Sequence, residues 1–156
     1  SRLMPNPQKD NLDIRHLNAL YGDAVMRRDS KLWGSLWHPD GVWHFLGESI
    51  VGQTNILARW EAAMAGFPVV FHTHHSGLID IKDDEANCRW YIDEDILDSD
   101  GNPLRIVGVY NDRCVRTPFG WRYSSRRFDP LYHGPGVLRT QHVMPYPADI
   151  NSPHDA

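Results

Sequence analysis

The sequence predicts an α+β domain: three N-terminal helices followed by one long, strongly curved antiparallel sheet, with a cavity between its concave face and the helices. Two observations predict this. Between residues 10 and 65, apolar residues recur mostly at spacings of three and four, the period of helices that bury one face. Four long β-type runs then follow, separated by short turn-forming segments, and helices followed by a meander is the α+β arrangement.

The elements follow in order. Residues 1–9 carry Pro5 and Pro7 and no periodicity, so an arm is expected there. From Asp10 a helix is marked by Ile14, Leu17, Leu20, Tyr21, Ala24 and Val25. Asp29 and Ser30 interrupt it, and Leu32, Trp33, Leu36 and Trp37 form a second short amphipathic segment. His38-Pro39-Asp40-Gly41 reads as a turn. Val42–Leu46 then reads as a strand, and Gly47-Glu48-Ser49 as a hairpin turn into Ile50-Val51. Gly52-Gln53-Thr54 opens a third helix carrying Ile56, Leu57, Trp60 and Met64, with Gly66 as its stop and Pro68 just beyond. The four long strands are Val69–Ile81, Ala86–Leu97, Leu104–Arg116 and Trp121–Phe128. After Asp129 come five of the eleven prolines, and residues 131–156 are expected to be an extended tail packed on the body or on a neighbouring subunit.

Composition narrows the function. The 156 residues suit one domain, 10–130, with a core of its own. A net charge of -4 argues against nucleic acid as a partner, which usually calls for a basic patch. No run of about 18 apolar residues exists, so no membrane span is expected. The first residues lack a charged-then-apolar leader, and the two cysteines, Cys88 and Cys114, make no disulfide framework; a cytoplasmic setting is expected. Six Trp and nine His suggest an apolar pocket holding a proton-transfer group.

The densest cluster is Phe71-His72-Thr73-His74-His75-Ser76-Gly77. Strict alternation places Phe71, Thr73, His75, Gly77, Ile79 and Ile81 on one face. That face is the more apolar, so His75 is expected inside the cavity and His72 and His74 outside. His75 is then either a general base or a core histidine satisfied by a neighbour. His72 and His74 have no nearby Cys, and no metal site is expected. Asp29 would either orient the His75 imidazole or cap the next helix. Arg126 and Arg127 end the last strand, and alternation does not choose which faces inward. Trp33, Trp43, Phe71, Tyr110 and Arg127 are candidate pocket residues for a flat apolar ligand. No Gly-rich phosphate loop, GxSxG or HExxH occurs, so no cofactor is expected.

The Tyr- and Asp-bearing first helix, "HPDGVW", "GQTNI", the His-bearing strand, "GVYNDRCVR" and "GWRYSSRRF" together resemble the SnoaL-like group of the nuclear-transport-factor-2-like superfamily over roughly residues 10–130. The resemblance implies a cone-shaped, mostly antiparallel (mixed) sheet of the cystatin-like type, enclosing a pocket closed by three helices, in a homodimer or homotrimer. Within the group the mechanistic likeness is to hexachlorocyclohexane dehydrochlorinase, and more distantly to scytalone dehydratase and bile-acid dehydratase. The dehydrochlorinase's aspartate, histidine and arginine correspond to Asp29, eight residues after Tyr21, to His75, two before Gly77, and to Arg126, five after Trp121. The resemblance therefore implies a cofactor-independent lyase or isomerase acting on a hydrophobic cyclic or aromatic molecule. His75, oriented by Asp29, would take the proton, and Tyr21 or Arg126 would stabilise the oxygen or leaving group. The group also contains ligand carriers, dioxygenase β-subunit scaffolds and polyketide cyclases, which stand as alternatives.

Overall fold

The computed structural model of the chain describes residues 4–147; residues 1–3 of the expected arm and 148–156 of the expected tail lie outside the described residues. Helix α1 is Pro7–Arg27. Asn6 caps it by accepting from the Lys9 amide, and Pro7 occupies the first turn, where the missing N–H costs nothing. The helix thus begins three residues earlier than its periodicity predicts, because capping outweighs pattern at an exposed end. It stops at Arg28, which turns left-handed (φ 56°) and returns its N–H to the carbonyls of Ala24 and Val25. Helix α2 is Ser30–Ser35 and α3 is Gln53–Ala65, closed by Gly66. No helix is long and apolar enough to cross a membrane among the described residues.

The strands are β1 (Trp37–Phe45), β2 (Glu48–Val51), β3 (Val69–Lys82), β4 (Glu85–Leu97), β5 (Pro103–Thr117) and β6 (Gly120–Pro135). They form one curled, unclosed sheet in the order β2-β1-β6-β5-β4-β3. Every neighbouring pair is antiparallel except β1 and β6, so the sheet is mixed. His38–Gly41 lies within β1 rather than in a turn. β6 continues beyond Phe128 to Pro135, pairing with β5 as far as Leu104, so the start of the expected tail is strand. Residues 137–144 then border a shallow hollow beside Phe71, on the outer face of β3.

The core lies between the concave face and the helices. Trp33 of α2 is fully buried, stacks on Trp60 of α3 (centroids 4.6 Å apart, planes at 10°) and touches Tyr21, Trp37 and Trp43. β3 is a sheet edge, and α1 packs along it; the His72 amide there donates to the Met26 sulfur at 3.2 Å.

Two bulges decide which residues face inward. On β3 the register passes from His74↔Ile92 to Gly77↔Trp90, so His75 and Ser76 together oppose Tyr91. The extra residue reverses the alternation. Val70, His72 and His74 face the helices before it, and Gly77, Ile79 and Ile81 after it. A Cβ at position 77 would collide with the Trp90 ring and the Arg89 carbonyl, which leaves room for glycine alone. On β6 a second shift at Ser124 puts Arg126 on the same face as Trp121 and Tyr123 and turns Arg127 outward.

Candidate functional site

An apolar cavity of about 370 Å³ opens between α1, α3 and the concave face. Its polar groups are few: the hydroxyls of Tyr21 (α1) and Tyr110 (β5), His72 (β3), Glu94 (β4) and His133 near the end of β6. Trp43, Phe45, Trp60 and Phe128 supply aromatic walls.

His72 and Glu94 are register partners on adjacent strands, so their side chains leave the same face opposite one another. His72 Nδ1 lies 2.9 Å from Glu94 Oε1. Its other nitrogen, Nε2, lies 3.2 Å from Nε2 of His74. His72 is buried and Glu94 partly so, and Tyr21 packs against both imidazoles at 5.9 Å. Burial, with the neighbouring His72 and Arg126, drives the His74 pKa far down, so this ring stays neutral. Gly22 of α1 makes this approach possible, since a Cβ there would stand 3.2 Å from His74 Nδ1.

Beneath the tyrosines lies Arg126. Its guanidinium pairs with Asp112 at 2.7 and 3.0 Å, donates to Asn18 and lies 3.8–4.3 Å from the ring centres of Tyr110, Tyr21 and Tyr123. Burial pushes both cavity hydroxyls up, against the pull of Arg126. Both therefore stay neutral and able to donate near neutral pH. Among the described residues no group of three or more His, Cys, Asp or Glu side chains is placed to hold a metal ion.

Several predicted site residues lie elsewhere. His75 points out of the cavity, its side chain 56% exposed and 3.8 Å from Asp93, because the bulge reverses the face that strict alternation assigns it. Asp29 caps α2, accepting from the Leu32 amide at 3.0 Å, with Arg27 at 3.4 Å, and the Asp29–His75 dyad does not form. Arg126 lies behind the tyrosine wall and does not reach the cavity surface. Trp33 is core behind Trp43 and Trp60. Phe71 and Arg127 face outward, Arg127 pairing with Asp129. Tyr21, Trp43 and Tyr110 stand on the cavity wall.

Glu94 and His133 were not anticipated. A signal for Glu94 exists: Ala86, Cys88, Trp90, Ile92, Glu94 and Ile96 form the inward face of β4, and Glu94 is its one charged residue. Asp29→Ala is expected to cost about 0.5–2 kcal/mol of stability, the loss of a helix cap, without touching cavity chemistry. Denaturant melts with ligand binding measured alongside would check this; lost binding at unchanged stability would contradict it.

The SnoaL-like domain pattern matches residues 8–127. No curated protein matches the chain. Solved structures similar to it include a nuclear-transport-factor-2-like protein with a cystatin-like fold from Novosphingobium aromaticivorans (26% identity, 80% of this chain and 83% of that one, TM-score 0.68). A hexachlorocyclohexane dehydrochlorinase of type 3 from Novosphingobium barchaimii shares 18% identity over 90% of this chain and 97% of that one, with a TM-score of 0.78.

Proposed function

Because the chain belongs to the SnoaL-like family, we propose that it is a cofactor-independent lyase or isomerase acting on a hydrophobic cyclic or aromatic compound. The observation that carries this reading is the His72–Glu94 pair at the wall of an apolar cavity. A carboxylate joined to an imidazole in low-dielectric surroundings is suited to moving a proton. The dehydrochlorinase fold likeness supports the same reaction class. An acid–base role here passes from the predicted Asp29 and His75 to Glu94 and His72.

In an elimination with hydroxide as leaving group, the substrate C–H bond breaks and its proton passes to the His72–Glu94 pair. The freed electron pair becomes the new C=C bond. The C–O bond breaks, and the departing oxygen takes the Tyr21 proton to leave as water. Return of the proton from the pair to Tyr21 closes the cycle. Arg126 acts through Tyr21 and Tyr110, favouring negative charge on their oxygens. Exposed Phe71, Leu78 and Tyr91 on the outer sheet face favour a homodimer or homotrimer.

The test is a screen of cyclic β-hydroxy ketones and chlorinated cyclohexanes, read by conjugated-alkene absorbance and chloride release. Glu94→Gln is expected to lower kcat by at least about 10²-fold, the lower bound for a positioned acid–base group. Equal turnover by the variant would overturn the reading, and tight binding of panel members without turnover would mark a ligand carrier instead.

A further inference from the structure

We infer that Glu94, through Oε2, is the group that takes the substrate's proton, and that His72 is a positioning residue whose second nitrogen His74 keeps closed. This deepens the proposed proton-transfer reading and rests on it. The argument is an inventory of lone pairs and protons. An imidazole offers two nitrogens, and both nitrogens of His72 are engaged within the protein. With Glu94 ionised, the contact at Nδ1 requires the proton on Nδ1. The Nε2–Nε2 contact holds one proton between two rings. If His72 is neutral, His74 donates and occupies the only lone pair of His72. If His72 is charged, it donates to His74 and has no lone pair to offer.

In neither state does His72 present a free base to the cavity. Glu94 does: Oε1 accepts from His72, and Oε2 has no hydrogen-bond partner among the described residues while Glu94 lines the cavity. His74 fits the closing role because it packs against Gly22 of α1, meets His72 Nε2 and remains neutral. In the step itself, the substrate C–H proton forms an O–H bond at Oε2, and His72 Nδ1–H continues to donate to Oε1.

Two measurements test this. In the ¹⁵N-histidine-labelled full chain at neutral pH, NMR is expected to show His72 protonated at Nδ1 with a proton shared between its Nε2 and that of His74, assigned with His74→Phe. A His72 ring protonated only at Nε2, or with Nε2 unaffected by His74→Phe, would overturn the inference. On a substrate from the screen, His72→Asn keeps an N–H donor near the Nδ1 position, so kcat is expected to fall by no more than about tenfold, the scale of losing one charged hydrogen bond outright, against at least about 10²-fold for Glu94→Gln. A His72→Asn loss as deep as that of Glu94→Gln would make the imidazole the base, overturning this assignment and leaving the proposed reaction class intact. The tautomer measurement needs no substrate, so its result is independent of whether the screen finds activity.

Discussion

Arg126→Met is expected to lower the unfolding free energy by about 3–5 kcal/mol, the usual cost of removing one partner from a buried ion pair. The Arg126 and Asp112 side chains are both fully buried and joined by two short hydrogen bonds. Methionine fills much of the same space between Tyr21, Tyr110 and Tyr123, but it strands the Asp112 carboxylate in the core. Asp112 already has a raised pKa, because burial outweighs the attraction of Arg126. A carboxyl whose folded pKa lies above its unfolded value costs stability as pH rises through that window. Without Arg126 the folded pKa rises further, so the deficit of Arg126→Met should be largest near neutral pH and shrink as the medium is acidified. Urea melts at several pH values measure this. The double variant Arg126→Met/Asp112→Leu should recover most of the loss, since it removes the stranded charge. A single-variant loss below about 1 kcal/mol, the level of an exposed pair, would contradict a sealed ion pair.

The second large effect is expected at Trp33. Trp33→Ala should cost about 3–5 kcal/mol, the range for truncating a large buried aromatic. The ring is fully buried, and four aromatic neighbours contact it. Three of these, Tyr21, Trp43 and Trp60, also form the cavity wall. Losing the support behind them should therefore loosen the wall as well as the fold. Trp33→Phe keeps most of the stack and should cost less. Thermal unfolding of both variants checks the order, and equal stability of Trp33→Ala and wild type would place Trp33 outside the core.

The elements were largely legible because they depend on local physics. The four long strands appear within a few residues of their predicted bounds except at the end of β6, where pairing with β5 extends the strand into a segment without clear alternation. Asp29 shows how two local readings were separated: its carboxylate caps α2 by accepting from the Leu32 amide, while the bulge turns His75 outward beside Asp93. The histidines were harder. Phe71–Gly77 contains three of them, and choosing the inward ones requires knowing where alternation breaks. Nothing local marks His75 and Ser76 as the bulged pair. The register that creates the bulge comes from β4, through Trp90 and Ile92.

The same reason governs Arg126, whose face depends on the shift at Ser124, and Glu94, whose importance depends on its partner across the sheet. By itself, then, the sequence determined the α+β class, the three helices with the Gly66 stop, the meander and an apolar interior rich in aromatics, because spacing, turn chemistry and burial preference act over a few residues. Tertiary structure alone decided that His72, and not His75, meets a carboxylate in the cavity, that this carboxylate is Glu94, and that Arg126 supports the tyrosines from behind. Those outcomes turn on single-residue slips between strands, and each slip exchanges the two faces of everything beyond it.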